Sequence, residues 1–168
     1  MINSILKFGA IAIILILLQI LLFNNIQFSG YVNPYVYVMI ILLLPAVTPP
    51  WLILVVAFLT GLVVDLFSGS PGMHSSATVL AGFSRQYVLR IIAPRDGYES
   101  SSDLSMKAYG VRWFFIYTTV IVLIHHTALF YLEVFRLSQF FRTFLRVLLS
   151  SAFTIGFIML IERYRKRR

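Results

Sequence analysis

Few side chains in this sequence can do chemistry, and the most suggestive is an acid inside an apolar run. Asp65 sits in Gly61-Leu62-Val63-Val64-Asp65-Leu66-Phe67-Ser68-Gly69-Ser70-Pro71-Gly72-Met73-His74. A carboxylate facing lipid is costly, and near a helix C-terminus it meets the negative end of the macrodipole. Two readings follow. In the first, Asp65 accepts hydrogen bonds from free N–H groups at the start of the next helix. Ser70 then caps that helix, Pro71 takes its first position, and Gly69 supplies the left-handed residue that ends the helix before it. In the second, Asp65 and His74 hold a proton or a cation. The first is preferred, because it gives every residue of the turn a task while the second needs a partner that the sequence does not name.

His125 and His126 are neighbours, so on a helix they point about 100° apart. They are not an i, i+4 ligand pair, and at most one is expected to face the interior, beside Thr118 or Thr119. Hydrogen bonding there is the expectation, rather than metal binding. The absence of cysteine leaves no thiolate or disulfide chemistry. No His-Glu-x-x-His, Gly-x-Ser-x-Gly or phosphate-loop pattern occurs. Intramembrane aspartyl chemistry needs two facing carboxylates, yet Asp65 alone lies well inside an apolar run. Glu133 and Glu162 fall at helix ends, and Glu162 is spaced to pair with Lys166. The expectation is no catalytic residue, no cofactor and no metal.

The elements that must carry these residues are membrane helices. Sixty per cent of the 168 residues are hydrophobic and 12% are charged. A soluble domain of this length leaves roughly a third of its unfolded surface exposed and could not hide so much apolar area. Apolar segments run over about 5–23, 32–47, 51–67, 72–92, 112–135 and 143–161. They predict an all-α integral membrane protein, a single bundle of about six spans over residues 1–168. The first run is too long for a signal-peptide core, and Asn24-Asn25-Ile26 offers no cleavage site. Tyr31, Tyr35 and Tyr37 suggest an interfacial aromatic belt at the start of the second segment. The fourth segment is the most polar, with Ser75, Ser76, Thr78, Ser84, Arg85, Gln86 and Arg90. A polar loop is expected over 93–111.

The net charge of +8 would suggest nucleic acid in a soluble protein, but here the cations flank apolar runs and read as topology signals. Lys7, the group Arg85, Arg90, Arg95, Lys107 and Arg112, and the tail Arg163–Arg168 place both termini in the cytoplasm. Arg142 and Arg146 run against that count. The tail's main task is to fix the last helix, with attraction to anionic lipid headgroups as a second. Small residues mark close packing or partner surfaces: Ala77, Ala81 and Ser84 share one face of the fourth segment, and Ala152 and Gly156 one face of the last, after Ser150 and Ser151.

The motif Gly61-x-x-x-Asp65-Leu66-x-Ser68-Gly69-Ser70-x-Gly72, followed by His74 and a helix rich in small residues, resembles that of MreD, the rod shape-determining membrane protein family of bacteria. Chain length, helix number and short outer loops agree with it over nearly the whole sequence. The resemblance implies a non-enzymatic, multi-pass protein of the bacterial inner membrane, acting in cell-shape maintenance and lateral peptidoglycan synthesis. Its implied partners are MreC, RodA and the elongation transpeptidase, with MreB reached indirectly, in a setting of membrane lipids and without nucleic acid. The family is also similar in size and helix number to the substrate-binding subunits of vitamin transporters. A small-ligand-binding transport subunit is therefore the alternative, one that needs a closed outer pocket from short loops that offer little.

Overall fold

A computed structural model describes residues 2–25, 32–98, 104–135 and 139–165. Every regular element among them is helical: α1 (Ile2–Leu21), α2 (Met39–Leu43), α3 (Pro50–Ser68), α4 (Met73–Ile91), α5 (Met106–Tyr109), α6 (Val111–Val134) and α7 (Phe140–Arg165). In lipid no water can satisfy backbone groups, and a helix pairs them all within one continuous apolar run. α1, α3, α6 and α7 are long and apolar enough to cross a membrane, and the chain is an all-helical membrane protein. α4 has a comparable 19 residues but carries the polar series from Ser75 to Arg90. α3 pairs with α4, α4 with α6, and α6 with α7, while α1 lies against α3 and the α2 segment. Large apolar side chains such as Leu17, Phe58, Phe83, Phe115 and Phe144 cover the outside.

The second apolar segment differs most from expectation. It is not a helix over 32–47. Extended chain reaches a 3₁₀ turn at Val36–Val38 and then the five residues of α2. Everything from Val36 to Leu44 is at most 5% exposed. Non-helical backbone at membrane depth survives only where protein satisfies it, and side chains of the flanking helices do so. Asn33 N donates to Ser150 Oγ (3.1 Å), Tyr35 N donates to Thr154 Oγ1 (3.0 Å), and Pro34 O accepts from Gln19 Nε2 (3.1 Å). Ser150, read from sequence as a packing residue, serves the α2 segment instead. The expected aromatic belt is also corrected: Tyr37 is fully buried and Tyr35 half-buried, and Tyr31 lies outside the described residues.

The expected 93–111 loop is tied down where it is described. Tyr98 Oη donates to Leu89 O (2.7 Å) and Trp113 Nε1 donates to Ile92 O (2.9 Å), satisfying carbonyls that α4 leaves open at its end. Tyr98, Tyr109 and Trp113 pack edge-on or tilted, with ring centroids 4.8–5.9 Å apart. Burial pushes the Tyr98 hydroxyl up to about 12. Glu162 pairs with Arg165 at 2.7 Å; its expected partner Lys166 lies outside the described residues.

Candidate functional site

Asp65 closes the α3–α4 hairpin. Gly69 takes the left-handed conformation (φ 63°, ψ 29°) and ends α3. α4 begins at Met73 with Gly72 as its N-cap and no capping side chain of its own. The Asp65 carboxylate, arriving from α3, supplies the cap. Oδ1 accepts from His74 N (2.9 Å) and Ser70 Oγ (3.1 Å), and Oδ2 accepts from Ser75 N (2.9 Å) and Ser75 Oγ (2.7 Å). His74 and Ser75 are the second and third residues of α4, whose N–H groups an N-cap side chain normally takes. Ser70 is thus a donor to Asp65 rather than the cap, and Pro71 lies in the turn rather than at the first helical position. Ser68 accepts from Asn24 Nδ2 (3.1 Å) and ties the hairpin to the end of α1. Gly61 sets the distance. A Cβ there would lie 2.5 Å from Ser75 Cα and 2.7 Å from His74 O, so only glycine lets α4 reach the carboxylate.

The His74 side chain turns away from Asp65 and into the centre of the bundle. Its Nδ1 lies 3.0 Å from Tyr37 Oη, which lies 2.7 Å from His125 Nε2. His125 Nδ1 is 3.3 Å from His126 Nδ1, which is 3.0 Å from Val122 O, and His126 Nε2 is 3.0 Å from Thr154 Oγ1. One neutral assignment of protons satisfies the whole chain. The carbonyl of Val122 requires N–H at His126 Nδ1, so His126 Nε2 accepts from Thr154. His125 Nδ1 then accepts from His126 Nδ1, His125 Nε2 donates to Tyr37, and Tyr37 donates to His74 Nδ1. Beyond His126 the network reaches a helix carbonyl and the hydroxyl that accepts from Tyr35 N. It therefore holds the 3₁₀ turn at Val36–Val38, α4, α6 and α7 in register and has no onward titratable partner among the described residues. Both His125 and His126 are fully buried. This corrects the expectation of one, because α6 is flanked by α4 on one side and α7 on the other.

His74 also lines a cavity of about 490 Å³ at the hairpin end, with Asn24, Asn33, Tyr35, Ser68, Ser70, Glu133 and Arg146 among its walls. Glu133 and Arg146 form a 3.1 Å ion pair, and the Arg146 guanidinium lies 4.3 Å from the centre of the Phe130 ring. That pairing offsets one of the two cations that ran against the charge count, Arg146.

Toward the other end, Arg85 is 1% exposed and is no loop charge. Its Nε donates to Tyr117 Oη (2.9 Å), and its Nη2 donates to Leu44 O and to Pro45 O (3.1 Å). These carbonyls end the α2 segment.

The small-residue faces separate. Ala77 and Ala81 are fully buried and Ser84 half-buried, so that face is spent inside. Ala152 and Gly156 are exposed, nothing lies within 4 Å of a Cβ built at Gly156, and with Phe153, Phe157 and Leu160 they line an apolar groove of about 330 Å³. Sequence reasoning missed Gln19, Tyr37, Thr154 and the Arg85–Tyr117 pair. The available signal was one polar residue inside an otherwise apolar run, which in a membrane must find a partner. Neither protein-family models, nor curated proteins, nor solved structures match this chain.

Proposed function

We propose that this chain is a MreD-like, non-enzymatic scaffold of the bacterial cell-elongation machinery, working by binding other membrane proteins: MreC first, with RodA and the elongation transpeptidase, and MreB indirectly. The observation that carries the reading is the division of the small-residue faces. The Ala77–Ala81 face is used within the bundle, while the Ala152–Gly156 face is open on the outside, where a partner helix can approach closely. In this reading the chain crosses the inner membrane six times. Two of the crossings are α4 and the 32–47 segment, whose Asn33 and Tyr35 line the hairpin-end cavity and whose Ala46 lines a cleft at the other end. Both termini are cytoplasmic. The supporting charges are Arg90, Arg95, Lys107 and Arg112, all exposed, while Arg85 drops out of that count.

Two experiments test this. The chain has no cysteine, so single cysteines report cleanly. One at Asn25 reacts with a membrane-impermeant thiol reagent in intact cells, and one at Lys107 does not; labelling at Lys107 overturns the topology. Gly156→Leu leaves the protein at normal level, abolishes co-purification of MreC and rounds the cells. If MreC still co-purifies, the α7 face is not the partner surface.

A second reading is favoured by the polar cavity at the hairpin end: a small-ligand-binding transport subunit. Its volume lies within the range of about 300–1,000 Å³ usual for ligand sites. Deletion of the gene separates the two, since loss of uptake of a small molecule with intact rod shape excludes the scaffold.

A further inference from the structure

At the end of the bundle opposite the hairpin, a cleft of about 440 Å³ lies between the start of α3, the last turns of α4 and the segment that follows. Arg85, Gln86 and Arg90 give it a donor-rich side, Ile53 and Leu89 an apolar side, and no acid among the described residues lines it. Arg85 is the unusual member. Its Nε and Nη2 are committed to Tyr117 and the α2 carbonyls, but its Nη1 donates to nothing among the described residues. It forms no ion pair among them either. A cation withdrawn from water costs several kcal/mol unless it is paired, and a helix terminus offers only about half an elementary charge in return. Arg85 therefore lines the cleft as a cation without a counter-ion among the described residues and with one nitrogen, Nη1, unused. Gln86 and Arg90 likewise make no side-chain hydrogen bond among the described residues.

We propose that this cleft binds the phosphate of an anionic headgroup, held by Arg85 Nη1, Gln86 and Arg90. With Nε and Nη2 taken, the two N–H groups of Nη1 remain to give charge-assisted hydrogen bonds to phosphate oxygens. The cleft exceeds many times the roughly 30 Å³ of one water, so it has room for a headgroup as well as the phosphate. Its apolar side suits the glycerol and first methylenes of a lipid, and its cationic side the anion. A free phosphate shares the recognised group, and the test separates the two sources.

The experiment is thermal unfolding of the purified full chain in a nonionic detergent, titrated with dioctanoyl phosphatidylglycerol, dioctanoyl phosphatidylcholine or inorganic phosphate. Phosphatidylglycerol raises the midpoint saturably, by about 5–10 °C near a hundredfold excess over Kd, and the zwitterionic lipid does not. Arg90→Gln weakens the apparent affinity about tenfold, the worth of one charged hydrogen bond. Ala93→Trp, made at an exposed position on the cleft wall, removes the response without disturbing Arg85. A response to inorganic phosphate equal to that for phosphatidylglycerol supports the anion site and assigns it to a soluble ligand. Equal responses to the two lipids, no response to any of the three, or an unchanged response in Ala93→Trp overturns the proposal.

Discussion

Asp65 and Arg85 are opposite charges at opposite ends of α4's partners, and each is held by backbone rather than by a counter-ion. Asp65 receives two N–H groups from the start of α4, with two hydroxyls completing four donors on its two oxygens. Arg85 gives to the carbonyls that end the α2 segment and to one tyrosine. A helix start is deficient in acceptors and a helix end in donors, so each terminus is the complement of one charge. The difference lies in completeness. The carboxylate has a donor for each of its lone-pair directions, closes a turn and is not among the described residues that line either cavity. The guanidinium keeps Nη1 unused beside an open one. The first arrangement is what a structural charge requires; the second leaves capacity for a ligand.

Breaking the carboxylate site at its source has the largest expected effect. Gly61 lies one turn before Asp65, and a side chain there meets the backbone of His74 and Ser75 rather than flexible atoms. Gly61→Leu must drive α4 away from the carboxylate, a cost above the roughly 1–3 kcal/mol of ordinary overpacking. The expected outcome is loss of monodisperse protein on gel filtration after extraction, whereas Gly156→Leu extracts normally.

Asp65→Leu follows. It leaves His74 N, Ser75 N and Ser75 Oγ without an acceptor, at roughly 1–3 kcal/mol for each buried group, moderated by the smaller worth of hydrogen bonds between membrane helices. A loss of about 3 kcal/mol is expected in thermal or denaturant unfolding. Asp65→Asn keeps one acceptor oxygen and loses less than half as much. If Asn and Leu are equally inactive at normal protein level, the charge itself is needed, and the proton- or cation-binding reading of Asp65 replaces the capping one.

Arg85→Met sharpens the comparison. It removes the buried cation together with its donors, and the carbonyls of Leu44 and Pro45 remain. Buried carbonyls tolerate incomplete pairing better than N–H groups do, so the expected loss is about 1–2 kcal/mol, below that of Asp65→Leu. A larger loss than for Asp65→Leu would show that the guanidinium carries the stability of the α2 segment and would weaken the case for spare capacity.

The smallest effects distinguish the two serines. Ser75 Oγ reaches Asp65 at 2.7 Å in a buried setting, and Ser70 Oγ at 3.1 Å in a half-exposed one. Ser75→Ala is expected to lose about 1–2 kcal/mol, in keeping with a hydrogen bond to a charge. Ser70→Ala loses about 0.5 kcal/mol, because water can replace its hydroxyl. Equal losses would mean that the hairpin opens to solvent as far as Ser75.

The sequence by itself determined the membrane class, since no soluble packing hides this fraction of apolar residues. It also placed α3, α4 and α6 to within two residues, the first two because Pro50, Gly69 and Gly72 are local stops and starts whose backbone preferences do not depend on the rest of the chain. It made Asp65 conspicuous, since an acid in an apolar run has to be accounted for wherever it lies. Tertiary structure decided the remainder. Apolar content cannot distinguish a spanning helix from the extended and 3₁₀ path of residues 32–38, which exists only because Gln19, Ser150 and Thr154 satisfy its backbone from α1 and α7. Helical spacing shows that His125 and His126 diverge, but not that α6 has neighbours on both sides to receive them. Two small-residue faces look alike in sequence; only the packing of α4 between α3 and α6 buries Ala77 and Ala81 and leaves Ala152 and Gly156 open. Arg85 counted as a topology charge until the end of the α2 segment met it. In each case the missing information was the identity of the partner, and hydrogen-bond partners up to 119 residues apart are set by the fold rather than by any local stretch of chain.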